Sequence, residues 1–120
     1  MAEHNKKGNF GEDLASIYLE RNGYLIRERN FVFEKAEVDI IAEKDNFLVV
    51  VEVKTRASED YGTIMDFVSG RQIKQIINAT EGYINLTETD LETRFDVIAV
   101  ILNQNPPKID HIEGAFYPTL

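Results

Sequence analysis

The sequence predicts an α/β fold: a mixed β-sheet with its elements in the order αβββαβ, flanked by helices. Three observations predict it. A run of helical period opens the chain, three strand-like runs follow as a meander, and a second, capped helix separates them from one more apolar strand. A strand that rejoins a meander beyond a helix gives a mixed sheet covered on both faces.

The elements follow in order. The spacing predicts a first helix from about Gly8 to Asn22, with Phe10, Leu14, Ile17, Tyr18 and Arg21 on its stripe and Gly23 as its C-terminal cap. Glu12 and Asp13 fall near its N-terminal end, where the helix dipole favours acids. A first strand covers roughly Tyr24 to Phe33. Two hairpin strands follow at about Val38–Glu43 and Phe47–Thr55, joined through the polar turn Glu43-Lys44-Asp45-Asn46. Ser58 to Gly62 is loop-like, and Ile64 to Val68 is either a helical turn or a covering loop. Ser69 followed by Gln72 is a capping box, so a second helix starts there, with Ile73, Ile76, Ile77, Thr80, Tyr83 and Ile84 as its stripe. Thr87 to Glu92 is a polar loop. Phe95 to Leu102 is a near-continuous apolar run, expected to be buried on both faces. Asn103 to Pro107 is a turn, and a short edge strand is expected near Lys108–Ile112.

The chain of 120 residues is expected to form one domain, residues 8–120, behind a flexible lead-in at residues 1–7. It has no cysteine, which excludes disulfides, thiolate metal sites and cysteine nucleophiles and fits a reducing cytoplasm. No apolar run approaches the ~20 residues of a membrane span, and the N-terminal lysines precede no apolar stretch, so neither a membrane nor a secretory signal is expected. The net charge of −8 argues against a general polyanion binder, whose affinity would rest on many Lys and Arg. It leaves room for a nuclease, because carboxylates gathered at a metal site inflate the acidic count. Lys6, Lys7, Arg27, Arg29, Lys35, Lys54, Arg56, Arg71 and Lys74 are the cations that could form a basic face.

The hairpin carries the chemistry. With Asp45-Asn46 at the centre of the turn, Asp39 stands opposite Glu52, and Lys54 shares the face of Glu52. Two facing carboxylates destabilise a sheet unless a cation lies between them. Two acids and a lysine at the end of a buried strand suit a hard divalent cation and a phosphate. The competing interpretation is a solvated strand face, on which Glu and Lys are ordinary, and the spacing alone does not decide between the two.

Further residues bring a resemblance into view. Gly8-Asn9-Phe10-Gly11-Glu12, Ala15, Tyr18-Leu19 and Gly23-Tyr24 are followed in order by Arg29-Asn30, Glu37 to Ile41, Val51 to Arg56, Arg94 to Val97, Ile109 to Ile112 and Ala115-Phe116. Together, over about residues 8–116, they resemble the YraN-like bacterial proteins. That family is placed in the PD-(D/E)-x-K nuclease superfamily and is similar in fold to archaeal Holliday-junction resolvases. The resemblance implies a restriction-endonuclease-like core and a signature triad of Asp39, Glu52 and Lys54, with Glu12 as the helix-one acid. Two departures stand out. Ala36 replaces a usual glycine, and Arg71 or Gln72, with Lys74 one turn on, replaces a usual lysine.

The expected reaction is hydrolysis of a phosphodiester in DNA, structured or branched DNA included, by a metal-dependent endonuclease. Asp39, Glu52, Glu12 and the Val53 carbonyl would hold Mg²⁺ or Mn²⁺, and Lys54 would act on the water or the phosphate. Arg56, Arg71 and Lys74 would bind substrate, and Glu37, which shares the face of Asp39, is a secondary candidate to approach the metal, the alternative being a surface acid. Asp96 is expected to be a structural partner of a basic side chain. His4 and His111 are not expected to be catalytic, and Tyr61 and Phe67 are more in keeping with local packing than with base stacking. A two-fold junction suits a two-fold protein, so by analogy with resolvase-like folds a homodimer is one assembly open to this chain, and the sequence does not fix the oligomeric state. The alternative is a non-catalytic nucleic-acid- or protein-binding module on the same fold.

Overall fold

A computed structural model describes residues 6–60 and 62–118. Helix α1 (Lys6–Arg21) leads into strands β1 (Leu25–Phe33), β2 (Ala36–Lys44) and β3 (Phe47–Arg56). A 3-10 turn (Ile64–Phe67), helix α2 (Gly70–Thr87) and strands β4 (Glu92–Ile101) and β5 (Lys108–Phe116) complete the chain. The strands form one five-stranded sheet in sequence order. Only β3 and β4 run parallel, joined by the α2 crossover, so the sheet is mixed. This is the expected α/β fold, extended at its far edge by β5.

The hairpin register is the one the turn dictates. Asp45 and Asn46 both have positive φ, 52° and 70°, which is the geometry of a two-residue hairpin turn. The pairs run from Lys44↔Phe47 to Ile40↔Val51, where the ladder ends. Glu34 and Lys35, also at positive φ, make an equally tight turn between β1 and β2, so β2 begins two residues before the expected Val38.

Helix α1 covers one face of the sheet, against Ile40, Val49, Val51, Ile98 and Val100. Its buried line is Ala15 and Leu19; of the expected stripe Leu14 and Tyr18 pack beside that line, while Phe10, Ile17 and Arg21 are exposed. The difference lies in Gly11, which sits so near Thr55 that a Cβ would collide with the threonine hydroxyl. Gly11, Ala15 and Leu19 are one turn apart, and their small profile at one end draws the helix down onto β3. The helix also takes in Lys6 and Lys7, ahead of its expected start, and the rest of the lead-in lies outside the described residues.

Helix α2 and the 3-10 turn cover the opposite face, against Val38, Ile41, Val50, Phe95 and Val97. Its Ser69–Gln72 capping box forms as expected, with the Gln72 N–H donating to Ser69 Oγ and the Ser69 N–H to Gln72 Oε1. The 3-10 turn settles the ambiguous stretch before α2, capped by Asp66 accepting from the N–H and hydroxyl of Thr63. Strand β4 starts at Glu92, three residues early, and is buried from Phe95 on. Strand β5 runs four residues past the expected Ile112, held by the Phe95↔Phe116 pair, whose rings stack at 5.1 Å. No helix among the described residues is long and apolar enough to cross a membrane.

Candidate functional site

The site lies where β2 changes faces. Val38 packs under α2, yet Ile40 and Ala42 pack under α1. Strict alternation would put all three on one face, so the strand twists over at Asp39. Strand β1 does the same beside it. Arg29 pairs opposite Ile40 and reaches α1, whereas Phe31 pairs opposite Val38 and packs under α2. Between them Asn30 has φ 55°, a left-handed conformation that Asn tolerates better than most residues.

The twist turns Asp39 toward β3 just past the last ladder pair. Its Oδ2 accepts from the Val53 N–H at 2.8 Å. The carboxyl of Glu52, itself buried, meets Asp39 directly, so the two acids share a hydrogen bond. Lys54 Nζ lies 3.2 Å from Glu52 Oε2, both side chains largely shielded from water. Burial, then the Glu52 charge, pushes the Asp39 carboxyl up to about 8, against the pull of the Val53 N–H. Burial also raises Glu52, and Lys54 opposes it. Both acids are thus held above the usual carboxylate range, so the pair keeps a proton to higher pH than free carboxylates do.

Glu12 approaches from α1, close enough for its charge to raise both acids. Its Oε1 accepts from Asn30 Nδ2 at 3.0 Å, and Arg29 lies 3.6 Å away. The same Asn30 amide donates to Glu37 Oε2 at 2.9 Å. The structure thus brings Asp39, Glu52, Lys54 and the Val53 backbone together, with Glu12 beside them and Glu37 joined to Glu12 through Asn30. Sequence reasoning quoted Asn30 only within the Arg29-Asn30 motif and gave it no role in the site. Its available signal was a turn-type residue in mid-strand, between the charged Arg27-Glu28-Arg29 and the apolar Phe31-Val32-Phe33.

The proposed substrate contacts are placed less closely. Arg56 follows Lys54 on the same face of β3, with its guanidinium 4.6 Å from the centre of the Phe67 ring and one N–H on the Thr55 carbonyl. Phe67 is thereby engaged in local packing, and Tyr61 lies outside the described residues. Arg71 and Lys74 are exposed on α2, and no hydrogen bond or ion pair ties either to the acidic pair among the described residues.

Asp96 and His111 lie on the α1 face, opposite Glu52 and Lys54. Asp96 is fully buried and accepts two hydrogen bonds from Arg94, one from the Gly114 N–H, and one from His111 Nε2 at 2.7 Å. His111 Nδ1 is then the acceptor for the Tyr18 hydroxyl at 2.9 Å. This network fastens α1 to β4 and β5. His4 lies outside the described residues.

The buried Glu52 carboxylate, the half-buried Asp39 carboxylate and the Val53 backbone form a donor set of the kind a hard, oxygen-preferring cation takes. Among the described residues no three His, Asp or Glu side chains close around one point. Such a set suits an ion that keeps several waters, as Mg²⁺ does.

The fold and the placement of these acids define a restriction-endonuclease-like α/β protein. The chain belongs to the uncharacterised protein family UPF0102, whose model matches residues 11–100, and this is the YraN-like family that the motifs indicated. Curated relatives include UPF0102 proteins of Flavobacterium psychrophilum, 51% identical over 117 residues, and of Flavobacterium johnsoniae, 50% identical over 121 residues, each alignment covering 98% of both chains. A UPF0102 protein of Bacteroides thetaiotaomicron is 46% identical over all of this chain and 99% of its own.

Proposed function

We propose that this protein is a metal-dependent nuclease that hydrolyses phosphodiesters in DNA. The observation that carries the proposal is geometric: the half-buried Asp39 carboxyl, held by the Val53 N–H, beside the buried Glu52, with Lys54 3.2 Å from Glu52. Burying two acids side by side is costly, and a structural role would be served as well by apolar residues. Asp39 and Glu52 would hold Mg²⁺ or Mn²⁺, with the Val53 carbonyl and Glu12 completing the shell directly or through water. A bound ion of this kind lowers the pKa of a water and offsets charge on the phosphate. Lys54, within reach of Glu52, would orient that water or steady the developing charge. Arg56 would hold the phosphate, with Arg71 and Lys74 meeting the backbone farther along.

The test is cleavage of linear, flapped and four-way DNA with Mg²⁺ and Mn²⁺, comparing wild type with Asp39→Ala. Cleavage by wild type and its loss in the variant support the reading. The net charge of −8 favours a second reading, a non-catalytic binding module on this fold. Thermal stabilisation by Mn²⁺ without cleavage of any substrate would select it.

A further inference from the structure

A cavity beside the Lys54 and Arg56 column of β3 has no part in the mechanism above. It is an open hollow of about 500 Å³ on the α2 face of the sheet, within the usual range for ligand pockets, ~300–1,000 Å³. Ala99, Ile101 and Ile112 form its floor, and Ile64 and Phe67 of the 3-10 turn form its wall. The strand register fixes where it stands. Lys54 pairs with Ala99 and Arg56 with Ile101, so the floor is the column of side chains next to the column that carries Glu52, Lys54 and Arg56. One strand spacing, about 4.8 Å, separates them.

The charges of the two columns differ. Lys54 and Arg56 stand on the β3 side. The cavity's own charged lining is acidic, Glu59 and Asp110, with Lys108 joined to both. A phosphate is attracted to the first column and repelled by the second. A nucleobase, flat, uncharged and apolar on its faces, suits the second. A nucleotide joins those two chemistries across a comparable span. In a paired duplex the bases are stacked inward, so only an unpaired or extruded base could enter.

We propose that this cavity receives an extrahelical nucleobase while the adjoining phosphate lies at Lys54 and Arg56. This deepens the nuclease reading, since it names the substrate as DNA with an unpaired nucleotide at the scissile position. The pocket accounts for how an acidic protein could select DNA: the apolar enclosure of one base supplies affinity that its few cations do not.

The experiment reads binding without cleavage, in the Glu52→Gln background, by fluorescence anisotropy. Three short duplexes are compared: fully paired, with one bulged dC, and with an abasic bulge that keeps the backbone and loses the base. The expected result is about tenfold tighter binding of the dC bulge than of the other two, and loss of that preference in Glu52→Gln/Ala99→Leu, whose larger side chain fills the floor. Should Ala99→Leu fail to fold, Ile112→Phe fills the same floor from the half-exposed edge strand. Equal binding of the dC and abasic bulges overturns the proposal, as does a preference that survives filling. Separately, wild-type cleavage of paired and bulged DNA alike, without a bulge preference, would leave the nuclease reading standing and remove this one. A bulge preference sensitive to filling, in a wild type that cleaves nothing, would do the reverse.

Discussion

The Oδ2 atom of Asp39 lies 2.8 Å from the backbone nitrogen of Val53, across the point where β2 and β3 part company. That bond uses a strand N–H that the ladder no longer engages, and it holds an acid in place beside a second acid. The site is therefore built by an interrupted hairpin. Its electrostatics follow from burial, which is why they can be tested through stability as well as through activity.

Asp39 should make the metal-free protein less stable as pH rises. Its folded pKa, about 8, is above the unfolded value near 4, so its favourable contribution is complete below pH 4 and is lost as pH rises through 8. Asp39→Asn removes that slope. Relative to wild type, the variant should gain stability between pH 5 and 8, on the order of 1–3 kcal/mol. Urea denaturation at several pH values in EDTA checks it. Parallel pH profiles for the two proteins would mean that Asp39 carries no proton in that range.

A cation in the site must displace the proton that the Asp39–Glu52 pair keeps. Mn²⁺ should therefore bind more tightly as pH rises from 6 to 8 and should release a proton, measurable by calorimetry in buffers of different ionisation enthalpy. The thermal stabilisation by Mn²⁺ should vanish in the Asp39→Asn, Glu52→Gln double variant. A shift that persists in the double variant places the ion elsewhere.

Lys54→Ala should separate holding the ion from using it. The ammonium lies on Glu52 but offers no lone pair to a metal. Its loss should lower cleavage by at least ~10²-fold, in the range of lost charge stabilisation, and leave the Mn²⁺-induced thermal shift within a factor of two in affinity. A variant that cleaves as fast as wild type would point to a contaminating activity.

The sequence carries the hairpin legibly because a two-residue turn at Asp45-Asn46 leaves a single register, which holds to Ile40↔Val51 and brings Asp39 and Glu52 to its open end. The capping box at Ser69 likewise marks the start of α2 to the residue. What was not legible depends on contacts between distant segments. The twist at Asp39 comes from Asn30 one strand over, so alternation along β2 misplaces its two ends. The face of α1 was assigned from hydrophobicity, yet the close approach of Gly11 to Thr55 decides it, leaving Phe10 and Ile17 in water. The extent of β5 rests on the stacking of Phe116 on Phe95, a pairing that periodicity cannot supply.

That close approach is itself testable. In Gly11→Ala the new methyl meets the Thr55 side chain, and α1 must rise or Thr55 must turn. The cost should be ~1–3 kcal/mol, as for overpacking of a filled interior. Because Glu12 is the next residue, metal affinity should fall as well. Adding Thr55→Ala should recover most of both losses, since it removes the hydroxyl that collides. Additive losses in the double variant would show that the two residues do not meet.

Asp96 gives the opposite pH dependence to Asp39, from the other face of the sheet. Burial alone would raise its carboxyl, but hydrogen bonds from His111, Arg94 and the Gly114 N–H outweigh burial and hold it below the ordinary range. Its contribution is complete above the unfolded pKa near 4 and is lost as pH falls through the folded value. Asp96→Ala leaves the Arg94 guanidinium and the His111 ring without their shared acceptor and should cost ~3–5 kcal/mol near neutral pH. Asp96→Asn keeps the shape and loses the charge, so it should cost less and should flatten the acid limb of the stability curve below pH 4. Neither change touches Lys54 or Glu52, which lie across the sheet. Asp96→Asn should therefore melt at a lower temperature and still keep the Mn²⁺-induced thermal shift of wild type. A variant that retains full stability and loses the metal response would move Asp96 from the scaffold into the site.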